Sequence, residues 1–429
     1  MNSLILSLRG FISRYKIYFK SSFLYLFPSI FTSIVGIAIN PLMAKNLSHE
    51  DYAIMGYFNS FSLIFLPILN FSLISYYLRH YYIVPENRRQ IISDTILIAL
   101  LVYSFVALVI LCAVFYFYWQ VSKISFAFFP YALLTFAPIY FGNFFTLFQI
   151  KCRLKREAAK YSKIVIFSAI LNTIFAIFFV IIYKYGATGR LLATLLASAI
   201  TGVYCFVTMF GKFQFDWKII RDAFNFGWPL SLSAILWYFL SGIDSAMLVK
   251  LNDIQTFGLY SVGASMAGYF FIFYTAIAQT FEPDIYKAIA QNERRKLGKI
   301  LGGIITLNAI PNILFIMFAP TIIGVLTYNR YVDSSNFARI FALKNIVLSL
   351  YYCFISVVVG YGFTKSQLFL LIAGSIVSFF IYKVLIANFG FYGAAWGQVS
   401  CFLFLSLVVV LYLFYKFKFL KQNEYLSKN

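Results

Sequence analysis

Runs of about 20 apolar residues recur along the whole chain, separated by short charged breaks, and nothing else in the sequence constrains the fold as strongly. A helix of that length crosses a hydrocarbon core of about 30 Å, and a helix satisfies its own backbone polar groups where no water can. Barrel strands would instead alternate apolar and polar residues over about 10 positions, and no such alternation is present. The runs are twelve: 23–44, 54–78, 95–118, 125–148, 164–183, 191–210, 228–250, 259–281, 300–326, 340–360, 368–387 and 395–415. Composition agrees, with 62% apolar and only 11% charged residues against roughly 25% charged in a soluble domain. The expected class is an all-α polytopic membrane protein.

An even number of crossings puts both termini on one side. Of the lysines and arginines, 26 lie on the side of the termini and 7 on the other. Basic loops stay in the cytoplasm, so both termini are expected there. The same asymmetry accounts for the net charge of +21. A stretch such as KCRLKREAAK (151–160) could suggest nucleic acid, but a bias confined to one face follows from topology and attraction to anionic lipid. Membrane lipid is therefore the expected partner, and nucleic acid is not. A basic segment (Arg9, Arg14, Lys16, Lys20) precedes the run 23–44, which is too long for a signal-peptide core and lacks a small-residue cleavage site. It reads as a retained first span. The five cysteines lie far apart with no CxxC pair, which indicates small buried side chains rather than a metal site or disulfide framework.

The chain also repeats itself. NFGFYGAAWGQ (388–398) and KYGATGRLLAT (184–194) both sit between apolar runs, and a shift of 204 lays Gly390 on Gly186 and Gly393 on Gly189. At the same shift INPLMAKNLSHEDYAIMGY (39–57) matches IDSAMLVKLNDIQTFGLYS (243–261), and ENRR (86–89) meets NERR (292–295) at nearly the same shift. Ordered matches at nearly one offset indicate duplication of a six-span unit. After six crossings the chain is back on its starting side, so the copies should be related by a pseudo-twofold axis along the membrane normal. The expected organisation is a six-helix bundle over 1–210, an amphipathic cytoplasmic linker over 211–227, a second bundle over 228–415 and a basic tail over 416–429. Two like bundles leave a cleft that rocking opens to either side, an arrangement suited to transport.

With these residues in view, the first-hairpin pattern LSHEDYAIMGY, the doubled glycine turn before spans 6 and 12, and twelve spans in two halves resemble the Wzx-type flippases. These belong to the multidrug/oligosaccharidyl-lipid/polysaccharide (MOP, MATE-like) exporter superfamily. The resemblance implies movement of undecaprenyl-diphosphate-linked oligosaccharide across the bacterial cytoplasmic (inner) membrane for O-antigen or capsule synthesis. It also implies a polysaccharide polymerase and a chain-length regulator as partners. The two extra spans of the related peptidoglycan-precursor flippases are missing here.

Charged residues inside spans are costly and raise functional hypotheses. In span 7, Ser233, Trp237, Ser241 and Asp244 recur at helical spacing and share one face, which should line a cleft. Asp244 is the candidate for coupling to a proton or sodium gradient, or else it pairs with Lys250 or Lys344. Its repeat mate in span 1 is Asn40. Lys344 and Lys383 either attract a diphosphate or snorkel to the headgroups. Arg79 and His80, at the inner end of span 2, either meet an incoming headgroup or anchor the span. Asn70, Asn143, Asn172, Gln279, Asn308 and Asn312 offer hydrogen bonds between helices or to sugar hydroxyls. Pro67, Pro138 and Pro311 are expected to kink their helices.

Rival functions fare less well. A membrane glycosyltransferase could use Glu50 and Asp51, but Ser48 and Asp51 read more simply as a capping box opening span 2. The outer loops are short, which disfavours both a transferase and a polymerase. No HExxH metal pattern and no phosphate-cradling GxxxxGK[ST] loop occurs, so neither zinc chemistry nor ATP hydrolysis is expected, and the membrane potential is left as a driving force. A cation-coupled exporter of small molecules is the nearer alternative. One intramembrane acid against two lysines favours an anionic cargo.

Overall fold

The computed structural model describes residues 27–28, 31–81, 83–122, 124, 126–211, 214–361 and 363–426. The basic N-terminal segment, the start of the first span, the side chain of Gln279 and the side chains of the tail beyond 416 lie outside the described residues. Among the described residues the regular structure is helical throughout.

Helices occupy every expected span. They are α1 (31–46), α2 (His49–Asn70), α3 (Leu73–His80), α4 (Glu86–Ser122), α5 (Tyr131–Leu154), α6 (Ala158–Ala176), α7 (Gly186–Met209), α8 (Trp217–Leu236), α9 (Tyr238–Ser241) and α10 (Ile243–Leu248). The chain continues through α11 (Ile254–Ala290), α12 (Arg294–Thr327), α13 (Ser335–Gly360) and α14 (Thr364–Leu426). Among the described residues eight helices are long and apolar enough to cross a membrane, or nine with the bent assembly α8–α10. One of the eight, the 51-residue run Ser366–Lys416 within α14, would extend roughly 75 Å if straight, more than twice a hydrocarbon core. It turns at Gly390 instead, where φ is 54° and ψ −129°, and so supplies both span 11 and span 12.

That turn confirms the repeat at the level of the backbone. Among the described residues the glycines with positive φ are Gly186, at 56°, and Gly390, at 54°, the two positions that the 204-residue shift superposes. A side chain would be strained at either. Three residues on, helix and preceding segment approach closely in both copies. A Cβ on Gly189 would lie 2.8 Å from the carbonyl oxygen of Phe179, and one on Gly393 would overlap the carbonyl of Leu385. The second span of each half also opens on a side-chain cap. Asp51 accepts from the Ser48 backbone N–H at 2.7 Å while its own N–H donates to Ser48 Oγ at 3.1 Å, the expected capping box. In the second half Asp253 accepts from the Thr256 N–H at 3.0 Å.

The chain divides into two compact units, residues 1–43, 68–116 and 132–228 in one, and residues 44–67, 117–131 and 229–429 in the other. In the first unit Leu73, Tyr77, Ile96, Leu100, Leu147 and Cys205 are central to the core. The linker is drawn into this unit. Thr95 Oγ donates to the Gln214 carbonyl and accepts from the Asp216 N–H, and Ile220 and Ala223 join the core. From Trp217 the linker is helical and continues into span 7 without interruption. Span 2 breaks at Phe71 and Ser72, both with positive φ, just past Pro67. Asn143 Nδ2 donates to Ser104 Oγ at 3.3 Å, the helix-bridging role available to such amides.

In the second unit the expected outer end of the first hairpin is fastened to residues of the C-terminal half. The last turn of α1 leaves carbonyls without helical donors. Arg330 Nη1 donates to the Lys45 carbonyl at 2.7 Å and Tyr331 Oη to that of Leu47 at 2.6 Å. A cation at a helix C-terminus is also favoured by the helix dipole. Tyr331 is fully buried, with the rings of His49 and Tyr52 packed on it.

Close approach at Gly393 yields a sharp contrast with Gly302, where a Cβ would meet nothing within 4 Å. Gly393→Ala is expected to destabilise the protein by about 1–3 kcal/mol, seen as a lower unfolding midpoint in detergent. Gly302→Ala should leave the midpoint unchanged. Equal midpoints for the two variants would contradict the close packing at this turn.

Candidate functional site

Span 7 is not the straight helix that the spacing suggests. α8 ends at Leu236, α9 at Ser241, and a 48° bend separates Trp217–Ser241 from Ile243–Leu251. Gly242 lies at the bend, with φ −137°, and a Cβ there would press on the Tyr238 ring at 2.6 Å. The bend falls within the series Ser233, Trp237, Ser241 and Asp244, with the first three before it and Asp244 beyond it. Such a break frees backbone carbonyls that lipid cannot satisfy. Side chains of α14 satisfy them. Ser375 Oγ donates to the Leu236 carbonyl at 3.1 Å and Tyr382 Oη to the Leu240 carbonyl at 2.7 Å.

Beyond the break, Asp244 is 1% exposed. Tyr260 Oη from α11 donates to its Oδ2, and Gln398 Nε2 from α14 donates to the same oxygen at 2.7 Å. Oδ1 is buried with no hydrogen-bond partner among the described residues. Tyr260 packs edge-on against Phe341 of α13 at 5.0 Å. Neither Lys250 nor Lys344 forms an ion pair with Asp244. Among the described residues the ion pairs are Lys160–Glu157 and Lys296–Glu293. Lys344 is half-buried, its ammonium 5.9 Å from the centre of the Phe341 ring, and it feels the Asp244 charge without touching it. Burying a carboxylate is costly unless hydrogen bonds compensate, and here a phenol and an amide do what a cation was expected to do.

A second feature of this unit is a cavity of about 510 Å³ between α11, α12 and α13. Tyr274 and Tyr352 line it, their rings stacked at 5.8 Å. Trp237 stacks on Tyr352 at 5.7 Å, so the expected cleft residue Trp237 backs the cavity wall. Thr275, Glu282, Ser356 and Gln367 supply polar groups along the same lining. Deeper in, Asn345 Nδ2 donates to the Ala267 carbonyl and Asn308 Nδ2 to the Asn345 carbonyl. Asn308 thus bridges α12 to α13, while Asn312 Nδ2 donates within α12 to the carbonyl of Asn308 at 2.9 Å.

The remaining sequence candidates do not join the Asp244 cluster. Lys383 is exposed, on a stripe with Ile376, Phe380 and Val384. An exposed apolar stripe is the setting in which a lysine would snorkel. Ser241 is half-buried next to the break. Arg79 and Asn40 belong to the first unit. Arg79 is exposed with its guanidinium 5.1 Å from the Phe226 ring centre, and Asn40 is half-buried on α1. Arg190 donates to Asn172 at 2.7 Å, a bond within the first unit. Sequence reasoning missed Tyr260 and Gln398. Gln398 carried a signal, as a polar residue entering an apolar run. Tyr260 carried none, being one of 33 tyrosines.

Helix after helix of apolar sequence, with buried polar groups gathered inside, defines a multi-pass membrane protein. The model of the family described as "Polysaccharide biosynthesis protein" matches residues 19–289, and the chain belongs to that family. By structure it is similar to an inward-facing multidrug resistance MATE family transporter of the MOP superfamily, at 16% identity and a TM-score of 0.72, covering 93% of this chain and 95% of the other. It is also similar to the lipid II flippase MurJ in an inward closed conformation, at 14% identity and a TM-score of 0.69, covering 91% and 87%. A MOP superfamily transporter from Pyrococcus furiosus follows at 16% identity and a TM-score of 0.59, covering 94% and 96%. No curated protein matches the chain in sequence. The fold is thus the MATE- and MurJ-like one expected.

The hydrogen bonds at Asp244 make the cluster testable. Tyr260→Phe removes one of its donors and should cost about 1–3 kcal/mol of stability, with a much smaller cost in an Asp244→Asn background. Detergent unfolding of the four proteins of this cycle measures the coupling. An equal cost in both backgrounds would mean that Tyr260 and Asp244 do not act together.

Proposed function

We propose that this chain moves undecaprenyl-diphosphate-linked oligosaccharide from the inner to the outer leaflet of the bacterial cytoplasmic membrane, by alternating access, for assembly of a surface polysaccharide such as O-antigen or capsule. The observation that carries the reading is the cavity beside Tyr274 and Tyr352. Its volume suits a ligand of a few rings, and small-molecule sites combine an apolar wall with a few placed polar groups. Stacked aromatic faces present flat apolar area to the C–H faces of a sugar ring, while Thr275, Ser356 and Gln367 offer partners for hydroxyls.

A cation-coupled small-molecule exporter is the alternative. Its cargo would call for acidic lining groups, and the acid of this cavity, Glu282, already accepts a hydrogen bond from Tyr286 at 2.9 Å.

The mechanism needs no nucleotide. With both termini cytoplasmic and an inside-negative potential, outward movement of an anionic headgroup gains about 2.3 kcal/mol per charge per 100 mV. Asp244 is the coupling site, because its partnerless Oδ1 is where a proton or sodium ion adds. Alternating access also requires the outer fastening at Arg330 and Tyr331 to open, and its bonds are to backbone carbonyls of α1 and the turn after it, which can exchange for water. The prenyl tail stays in lipid throughout. A polymerase and a chain-length regulator receive the product.

In a strain lacking this chain, lipid-linked oligosaccharide should accumulate and surface glycan should disappear. The wild-type chain restores the glycan, whereas Tyr352→Ala, expressed at normal level, should restore less than a tenth of it. Unchanged glycan in the deletion strain would contradict the proposal.

A further inference from the structure

Whereas the Asp244 cluster and the tyrosine cavity belong to the second unit, a basic concavity lies in the first. It is a cavity of about 900 Å³ at the expected cytoplasmic end of α5, α6 and α7. Lys151, Lys155, Lys160 and Lys163 line it, together with apolar surface that includes Phe167 and Tyr204. Both of these rings are about half exposed.

The chain builds this shape at a tight corner. α5 ends at Leu154, Arg156 takes a left-handed conformation with φ 58°, and the Glu157 N–H closes back on the Cys152 carbonyl at 2.8 Å. α6 starts at the next residue, and the positive end of its dipole adds to the local field. Two of the four lysines are compensated. Lys160 pairs with Glu157 at 3.1 Å. Lys151 donates to Ser93 Oγ at 3.2 Å and feels the nearby Asp94 charge. Lys155 and Lys163 are exposed and form no ion pair among the described residues. They leave two uncompensated positive charges at the mouth of an apolar-walled cavity.

Topology alone requires lysines on the cytoplasmic face, but it does not require them to converge on a cavity with aromatic walls. We propose that this cavity docks the headgroup of a diphosphate-bearing lipid before translocation, with Lys155 and Lys163 on the phosphates and the first segment of the prenyl chain along Phe167 and Tyr204. Two excess positive charges match a diphosphate diester, which carries two negative ones, better than a phospholipid headgroup with one. Charge-assisted hydrogen bonds from lysine to phosphate supply the attraction. The inference rests on the proposed cargo and assigns that cargo a second, lateral site.

The test uses the full-length protein in phosphatidylcholine nanodiscs, with undecaprenyl diphosphate lacking sugar as the probe and bound lipid counted by native mass spectrometry. Wild type should bind it saturably. K155Q/K163Q should weaken binding at least tenfold and K155R/K163R should restore it, while Gly302→Ala binds as wild type. Three results would overturn the site: unchanged binding by K155Q/K163Q, equal displacement by phosphatidylglycerol, which would mean surface attraction only, or equal displacement by inorganic pyrophosphate, which would mean a free-phosphate site. The outcome separates from that of the proposed function. Lysine-dependent binding without any translocation would discard the function and keep the site, and translocation with lysine-independent binding would do the reverse.

Discussion

A membrane helix cannot break without finding new partners for its backbone, and the C-terminal half is organised around one such break. Between Leu236 and Ile243 span 7 bends at Gly242, and the carbonyls of Leu236 and Leu240 pass to Ser375 and Tyr382 of α14. That exchange fixes α14 against span 7. It also carries Gln398, on the other limb of α14, to Asp244. The buried carboxylate thus exists because the helix is broken and its surroundings are polar enough to hold it. Removing a partner would leave a buried charge that costs more than the bond itself contributes.

The broken helix also separates tasks. Trp237, before the break, belongs with the stacked tyrosines of the cavity. Asp244, beyond it, sits among Tyr260, Gln398 and the Phe341 ring. In the proposed mechanism cargo and coupling ion would address opposite sides of one hinge-like segment, a sensible arrangement where binding of one should bias the other. The fastening at Arg330 and Tyr331 is built from a different currency, long side chains reaching helix-end carbonyls. Bonds of that kind re-form readily, which suits a contact that would open in each cycle of the proposed alternating access.

Much of the fold was legible in the sequence, because lipid imposes a length and a polarity that leave little choice. The duplicated turn was legible too, since both copies place there a glycine, Gly186 and Gly390, the residue that adopts positive φ most readily. The site was legible in part. Asp244 stood out as an acid in an apolar run, but its partners did not. Helical spacing from Ser233 to Asp244 assumes a straight helix, and Gly242 alone gave no warning, with 23 glycines in the chain. Lys383 carried the same sequence signal as Lys344, and only the exposed stripe around it separates the two. The basic run at 151–160 was read as topology. Its convergence on a cavity depends on the corner at Arg156, which no local pattern announces.

The account stands or falls on whether a diphosphate-linked saccharide crosses through this protein under ionic control at Asp244. The most direct measurement is the rate at which undecaprenyl-diphosphate-linked oligosaccharide becomes accessible on the far leaflet of proteoliposomes under an imposed potential or ion gradient. Wild-type protein should accelerate it, with a rate that responds to the imposed force, and Asp244→Asn should abolish the response to proton or sodium. A wild-type rate indifferent to potential, proton and sodium alike would contradict the account.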